Sequence, residues 1–295
     1  MRDPEEVYRA LAAHRTRSGR YLDMQRLLIR YGIECFLRRL EASRFAKAFV
    51  LKGAMSFAVH LDQSRTTKDA DFQVYGLSDA KSLVNAFSQI CSIEQDDGLK
   101  FEIGRIRAES VGGDREYPGF KVTVTSHLGG AQIPLQFDIG FGEVITPAPR
   151  TLAYPTMLKM KSPSVRAYPT ESVIAEKFQA MVQLGMRNTR MKDFYDLHEF
   201  AVKSEFDGEI LSAAIRNTFG HRGTPVPNEA PLALQQAFYG DKKRATAFKA
   251  FAKSLPTKKD LEACCQTIES FLIPVCRAIA SNEPFLGHWQ DGAWI

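Results

Sequence analysis

The spacing of hydrophobic positions changes along the chain. Up to about residue 140 the apolar runs are short, and some alternate with polar residues, as Leu135, Phe137 and Ile139 do with Gln136 and Asp138. A side-chain period of two is typical of strands, while apolar residues three and four apart indicate helices. Helical spacing occurs in the N-terminal region and dominates after residue 170. The pattern predicts N-terminal helices, a mixed α/β region and a helical C-terminal region.

Turn and cap residues set the predicted boundaries. Gly129-Gly130 closes a hairpin, Ser78 caps a helix that ends at Cys91, and Thr146 to Pro169 is the connection out of the sheet. Strands are predicted at 49–52, 69–75, 101–108, 120–127 and 132–139. The remaining helices are predicted at 5–13, 20–42, 54–62, 170–185, 190–203, 208–218, 229–238, 241–254 and 258–281. We expect two domains, residues 1–155 with the N-terminal helices and sheet, and residues 156–295 with the C-terminal helices.

Asp69 and Asp71 lie two residues apart on a predicted strand, so they share one face of it with Gln73. Neighbouring carboxylates repel each other, and a divalent cation removes that repulsion. Oxygen ligands with open positions suit Mg²⁺ carrying a triphosphate. Upstream, Gly53 forms a turn before a predicted helix, where backbone N–H groups can face phosphate. The alternative is an exposed strand whose acidic face is solvated.

Lys177 falls within the apolar face of its predicted helix, at about 40° from Val173 on a helical wheel. An ammonium group at that place either meets an anion or extends along the face to reach water. Asp193 and Asp196 open the next helix, and Asp193 shares a face with Leu197. The helix dipole alone also favours acidic residues in a first turn, so their position has two explanations.

Composition excludes some classes of protein but does not indicate a function. A hydrophobic content of 44% and a charged content of 25% are typical of a globular protein. We expect no membrane span and no signal peptide, and therefore a cytoplasmic protein. The five cysteines contain no Cys-x-x-Cys pair, which predicts reduced thiols and no zinc site.

The net charge of +5 is unevenly distributed. Residues 1–47 hold eleven Lys/Arg against six Asp/Glu, and a second basic stretch runs through residues 242–259. Solvated helix faces and nucleic-acid contact both explain such runs. The arginines that dominate the N-terminal run are Arg15, Arg17, Arg20, Arg26, Arg30, Arg38 and Arg39.

Four blocks follow one another between about residues 49 and 200. They are Leu51-Lys52-Gly53-Ala54 with Arg65-x-Thr67-Lys68-Asp69-x-Asp71, then Phe137 to Val144, Ala175-Glu176-Lys177-Phe178, and Arg190 to Leu197. In this order they resemble the AbiEii/MenT nucleotidyltransferase toxins of type IV toxin–antitoxin systems, within the DNA polymerase β nucleotidyltransferase superfamily. One departure is Ala54, where many members of the superfamily have Ser or Gly.

The resemblance implies an α+β fold, with a polymerase β-like mixed sheet and helices followed by a helical C-terminal domain. It implies an NTP-dependent enzyme that uses Mg²⁺ or Mn²⁺, transfers nucleotides to RNA (the 3′ end of tRNA) and blocks translation. It also implies a cognate antitoxin protein as partner. Basic residues of the N-terminal helices would then bind RNA phosphates.

Site residues are implied by the same resemblance. The catalytic set is Asp69, Asp71, Asp138, Lys177 and Asp193, with Glu176 and Asp196 of lower rank. Asp69, Asp71 and Asp138 are the metal ligands, and Asp138 or Asp193 could activate the attacking hydroxyl. The nucleotide-binding set is Gly53, Ala54, Ser56, Arg65, Thr67 and Lys68.

Two other functions stay open at this point. One is transfer of a nucleotidyl or phosphoryl group to a protein or a small molecule. The other is a nucleotide-dependent regulator without turnover, which the filled set of charged positions disfavours. The segment from Phe285 to Ile295, with Trp289 and Trp294, either caps a core or contacts a partner.

Overall fold

The chain forms two compact units, seen in a computed structural model that describes residues 2–17, 23–53, 55, 69–111, 119–253, 255 and 259–295. The first unit comprises Met1–Glu143 and Pro149–Tyr168, and the second comprises Val144–Ala148 and Pro169–Ile295. The first contains a mixed sheet and the second is mainly helical, so the predicted α+β fold class is confirmed.

In the part of the first unit that the structure describes there are three helices and eight strands. The helices are α1 (Pro4–Arg17), α2 (Met24–Ala42) and α3 (Ala80–Cys91). The strands are β1 (Phe49–Lys52), β2 (Asp69–Val74), β3 (Leu99–Phe101), β4 (Arg107–Val111), β5 (Gly119–Leu128), β6 (Ala131–Gly140), β7 (Arg150–Ala153) and β8 (Ser164–Ala167).

The sheet has the strand order β3-β5-β6-β2-β1-β8-β7, with β4 also paired to β5. The central strand β2 is parallel to β6 and antiparallel to β1. Phe36 of α2 packs against Phe72 and Phe137 of the two central strands, with ring centroids 6.2 and 4.5 Å apart. Phe87 of α3 packs against Phe137 at 5.1 Å. These aromatic contacts bury one face of the sheet. The opposite face therefore carries the polar residues of β2 and β6.

The second unit contains six helices and three short strands among its described residues. The helices are α4 (Thr170–Leu184), α5 (Met191–Lys203), α6 (Gly208–His221), α7 (Gln236–Tyr239), α8 (Lys242–Ala252) and α9 (Leu261–Ala280). The strands β9 (Phe206–Asp207), β10 (His288–Gln290) and β11 (Ala293–Trp294) form a separate sheet in the order β11-β10-β9.

The C-terminal tryptophans belong to the core of the second unit. Trp289 is buried and its indole N–H donates to the carbonyl of Ala201 at 2.7 Å. Trp294 stacks on Phe271 of α9 and donates to the carbonyl of that residue at 2.9 Å. Of the two roles considered for this segment, the structure shows the capping of a core.

Four of the predicted elements differ from the structure. The connection at 146–169 contains β7 and β8, and the strand at 101–108 is interrupted by a 3₁₀ turn at Ile103–Arg105. The N-cap of α3 is Asp79 rather than Ser78, because Asp79 accepts from the backbone N–H of Ser82. Residues 229–238 contain only a 3₁₀ turn and the four-residue α7. The helix predicted at 54–62 lies almost wholly outside the described residues.

One helix also contradicts the expectation that no apolar run approaches a membrane span. α9 has 20 residues and is apolar enough to cross a membrane by length and composition alone. Half of its residues are buried in the second unit. A core helix is apolar for this reason, so the finding is weak support for a span.

Candidate active site

A row of four charged residues crosses the polar face of the first unit's sheet. The register pairs Lys52 of β1 with Asp71 of β2, Asp71 with Asp138 of β6, and Asp138 with Lys121 of β5. Residues paired across neighbouring strands project to the same face, so two carboxylates lie side by side between two ammonium groups. Asp69 lies two residues from Asp71 on the same face. The sequence-predicted Asp69, Asp71 and Asp138 are thus brought to one surface.

Gly53 is held against the carboxylate of Asp71. Its φ of +66° lies in the left-handed region, which glycine adopts without steric strain. A Cβ atom at this position would lie 2.0 Å from Oδ2 of Asp71 and 2.7 Å from its Cγ. Any other residue would therefore displace the carboxylate as well as strain the backbone. The predicted turn before the helix serves a second purpose here, since it leaves room for Asp71.

Gln73 and Lys52 organise the remainder of this face. With its carboxamide oriented so that Oε1 faces the loop after β6, Gln73 accepts from the backbone N–H of Gly142 (3.1 Å) and Glu143 (2.9 Å). Lys52 reaches Gly140 of β6, and its Nζ lies 3.7 Å from the position of a Cβ at that glycine. The Lys52 ammonium therefore lies over β6, on the same face as the aspartates.

The predicted three-carboxylate metal site is not formed as a closed set. Among the residues that the structure describes, no group of three or more His, Cys, Asp or Glu side chains is arranged to hold a metal ion. Asp138 instead accepts a hydrogen bond from Nε2 of Gln136 at 3.1 Å. The pair Asp69 and Asp71 still fits Mg²⁺, which uses one or two carboxylates together with substrate phosphates and water.

The second unit holds a separate charged cluster around Lys177, which we call the Lys177 cluster and define as Lys177, Asp193, Asp196 and Arg190. The ammonium of Lys177 on α4 lies 2.6 Å from Oδ1 of Asp193 and 2.8 Å from Oδ2 of Asp196, both on α5. Arg190 bonds the other oxygen of Asp193 at 2.5 Å. Both aspartates are buried, and the Lys177 side chain is 11% exposed. Of the two alternatives for an inward-facing lysine, the structure shows the one that meets anions.

The ionisation of Asp193 follows from these partners. Burial alone would raise the pKa of its carboxyl group, but the Lys177 ammonium and the Arg190 guanidinium outweigh burial and hold that pKa below the usual value. A carboxylate with a lowered pKa is a poor proton acceptor. Asp193 is therefore suited to holding Lys177 in place rather than to deprotonating a hydroxyl.

Glu176 faces away from this cluster. It pairs with Arg222 at 3.7 Å, and Arg222 also donates to Oε1 of Gln179 at 2.9 Å. Gln179 in turn donates to the hydroxyl of Thr224 at 2.7 Å. Arg222 thus fixes the side of α4 opposite Lys177. This contact supports a structural role for Glu176, in keeping with its lower rank.

Five predicted nucleotide-binding residues lie outside the described part of the chain. They are Ala54, Ser56, Arg65, Thr67 and Lys68. Gly53 is the one member of that set whose surroundings are described.

Three of the N-terminal arginines are engaged inside the first unit. Arg39 forms a bidentate pair with the buried Asp97, at 2.5 and 3.1 Å. Arg30 and Arg38 flank the buried Glu34 at 3.6 and 3.7 Å on successive turns of α2. Buried ion pairs of this kind cannot also hold RNA phosphates. For these three arginines the expected role in RNA binding is wrong, because α2 is a core helix and not a solvated one.

Sequence reasoning missed Lys121, Arg190 and Arg222 and gave Lys52 no role. Lys52 lies next to Gly53 in the first block, so its strand position could have placed it beside the aspartates. Lys121 becomes a neighbour of Asp138 only through the β5–β6 hairpin register. Arg222 approaches α4 from 46 residues along the chain, which no local pattern indicates.

The fold is that of nucleotidyltransferases. It is similar to MenT4, a nucleotidyltransferase toxin of Mycobacterium tuberculosis H37Rv, at 17% identity and a TM-score of 0.54, over 96% of this chain and 100% of that one. It is also similar to JHP933 from Helicobacter pylori, at 14% identity and a TM-score of 0.52, over 88% of this chain and 95% of that one. Curated protein sequences gave no match.

The family is shown by a sequence model rather than by these distant structures. Residues 35–272 match the model described as the nucleotidyl transferase AbiEii toxin of type IV toxin–antitoxin systems. The chain belongs to this family, and the predicted resemblance is confirmed. The matched range includes the charged row of the first unit and the Lys177 cluster of the second.

Proposed function

We propose that this chain is a metal-dependent nucleotidyltransferase toxin that transfers a nucleotide from an NTP to the 3′ end of tRNA and so blocks translation, with a cognate antitoxin protein as partner. The observation that carries the proposal is the row Lys52–Asp71–Asp138–Lys121, with Gly53 packed against Asp71. Ammonium groups attract phosphate and paired carboxylates attract a divalent cation. Such a row therefore suits a metal-bound triphosphate.

Asp69 and Asp71 are the residues that would hold Mg²⁺ or Mn²⁺, and that ion would supply neutralising charge to the phosphates. Lys52 and Lys121 add positive charge on either side of the carboxylates. Lys177, kept in one position by Asp193 and Asp196, supplies a further ammonium for the phosphates. In this assignment Lys177 is catalytic, and the two aspartates position it.

The reaction is a displacement at the α-phosphorus. The acceptor hydroxyl oxygen forms a bond to that phosphorus, the bond to the oxygen that bridges the α- and β-phosphates breaks, and pyrophosphate leaves. Asp138 takes the proton of the hydroxyl. The lowered pKa of Asp193 makes this residue a poor base.

The test is incubation with total tRNA, Mg²⁺ and each α-³²P-labelled NTP in turn. We expect label on RNA with at least one NTP, and loss of that label with EDTA. Asp71→Asn should lower the rate about a hundredfold or more, since it removes a charged ligand from the proposed metal site. Glu109→Gln also replaces a carboxylate by a carboxamide, but at an exposed position of β4, and it should leave the rate unchanged.

The acceptor is identified by treating the tRNA with periodate before the transfer reaction, because periodate destroys the 3′-terminal diol. If the treated tRNA is no longer labelled, the result supports transfer to the 3′ end. Label on protein alone would support protein modification instead. If no NTP labels RNA or protein while the chain still binds NTP, the proposed transfer is wrong.

A further inference from the structure

The second unit has a basic surface next to the Lys177 cluster. The two share one residue, Arg190. The surface combines α8 with the turn that precedes α5. We call it the α8 surface and define it as the exposed residues Arg187, Arg190, Lys192, Lys242, Lys243, Lys249 and Lys253. Residues 185–192 and 242–253 contain no Asp or Glu. Positive charge is therefore continuous along both segments.

Arg244 joins the two segments into one surface. Its guanidinium donates to the carbonyl of Met186 and lies 4.7 Å from the ring centroid of Phe238. Phe238 stacks on Phe194 of α5 with centroids 5.2 Å apart. Cation–π and aromatic contacts of this kind hold neighbouring segments together. The α8 surface consequently keeps a fixed position relative to α5, which carries the aspartates of the Lys177 cluster.

Arg190 connects the α8 surface to the Lys177 cluster. Its Nε bonds Oδ2 of Asp193, whose Oδ1 meets the ammonium of Lys177, yet 49% of the Arg190 side chain is exposed. One guanidinium thus contacts the buried cluster and faces solvent. A polyanion bound along α8 could contact Arg190, and Arg190 lies next to Lys177 because both bond Asp193.

The arrangement of α8 suits a phosphate backbone. Lys242, Lys249 and Lys253 are seven and four residues apart, so they follow one flank of the helix over about 16 Å. Phe248 is buried, and the half-buried Phe251 packs its ring against Tyr195 and Phe248, so α8 offers no fully exposed aromatic ring. Lysines act as point charges for phosphate, whereas base recognition would need exposed rings or paired donors and acceptors. Binding here would be electrostatic and independent of base sequence.

We infer that the α8 surface binds the sugar-phosphate backbone of the acceptor RNA and directs its end towards Lys177; this inference rests on the proposed transfer to RNA. It assigns to α8 the role that the sequence suggested for three arginines of α2. There Arg30, Arg38 and Arg39 are bonded to Glu34 and Asp97. On α8, in contrast, the lysines project from an exposed flank.

The test compares two triple variants that remove the same charge from exposed positions. One is Lys242→Gln/Lys249→Gln/Lys253→Gln on the α8 surface, and the other is Lys47→Gln/Lys81→Gln/Lys100→Gln in the first unit. Binding of fluorescent tRNA is measured by anisotropy over a range of salt concentrations, with EDTA present so that no transfer occurs. We expect the α8 triple to bind at least about tenfold more weakly, with a salt dependence shallower by about two to three counterions. The control triple should change the affinity less than twofold.

Equal losses in both triples would mean that net charge alone governs binding, and would overturn the inference. The inference would also be overturned if the α8 triple variant kept its affinity for tRNA but bound poly-glutamate more weakly. That result would assign the surface to an acidic protein. A parallel transfer assay separates this inference from the proposed function. If the wild type transfers label and the α8 triple variant has an unchanged KM for tRNA, the inference is wrong but the proposed function stands. Wild type that transfers no label overturns the function, while the anisotropy result still decides whether α8 binds RNA.

Discussion

Gly53 is the residue whose replacement gives the sharpest test of the site. Gly53→Ala should destabilise the protein by about 1–2 kcal/mol because alanine is strained at φ +66°. It should also reduce nucleotidyl transfer far more than this loss of stability explains, since the added Cβ would occupy the place of the Asp71 carboxylate. The measurements are urea unfolding and the rate of label transfer under conditions where the variant is fully folded.

Gly76 offers the matched control for that substitution. Its φ is +75°, and a Cβ there would meet no atom within 4 Å. Gly76→Ala should therefore produce a similar loss of stability and keep the transfer rate. If the two variants lose activity equally, the packing of Gly53 on Asp71 has no role in the reaction.

The Lys177 cluster gives a second prediction at the level of residues. Lys177→Met leaves two buried carboxylates without their common cation, and we expect a destabilisation of about 3–5 kcal/mol. Adding Asp193→Asn and Asp196→Asn should restore most of that stability but none of the transfer activity. A triple variant as unstable as Lys177→Met would contradict the view that charge burial is the cause. Urea unfolding of wild type and of these two variants measures how much of the lost stability is restored.

Residues could be predicted from the sequence where one element alone decided their position. The apolar arc around Lys177 placed this residue on the inward face of its helix while leaving two partners open for its ammonium, and the period of β2 placed Asp69 and Asp71 on one face. Lys121 could not be found in this way, because its proximity to Asp138 depends on the pairing of β5 with β6. The sequence of a single strand or helix does not indicate which elements will lie next to it.

Elements were predicted well where hydrophobic periodicity was strong and poorly where tertiary pairing creates the element. β1, β2, β5, β6, α4 and α5 agree with prediction to within one or two residues. β7 and β8 have four residues each and were taken for a connection; β7 is largely exposed, so its sequence lacks a buried face. β8 exists because it pairs with β1 through Leu51 and Ala167.

The start of α3 yields a prediction at the scale of an element. Asp79 accepts from the backbone N–H of Ser82, and this bond lowers the pKa of the Asp79 carboxyl. Asp79→Ala should therefore lower the unfolding midpoint at neutral pH, and Ser78→Ala should not. Because the pKa of Asp79 is lowered in the folded protein, its contribution should disappear as the pH falls through that value. Thermal unfolding at neutral and acidic pH measures both, and an effect of Ser78→Ala alone would restore the original assignment of the cap.

The order of the strands is the part of the molecule that the sequence did not reveal. β2 lies between β6 and β1, so strands distant in sequence become neighbours and bring Lys52 and Lys121 to the two aspartates. Local periods determine which face of a strand is polar, but not which strand lies next to it. The same limit applies to α2, where Arg38 and Arg39 look like part of a basic surface in the sequence but are buried in the fold.

Glu34 ties α2 to a distant segment of the first unit and should give its stability a distinctive pH dependence. The carboxylate is fully buried and accepts from the backbone N–H of Met157, 123 residues away, at 3.3 Å. Burial raises its pKa to about 7, although Arg30 and Arg38 oppose the rise. The folded state thus binds this proton more tightly than the unfolded chain.

The corresponding contribution to stability is complete below the unfolded pKa of about 4.5 and is lost as the pH rises to about 7. Wild type should lose up to about 3 kcal/mol from this group across that interval. Glu34→Gln, which cannot ionise, should remove this part of the pH dependence. The exposed Glu109→Gln should leave it intact. Urea unfolding at several pH values provides the comparison, and equal pH dependence in wild type and Glu34→Gln would show that Glu34 ionises alike in the folded and unfolded chain.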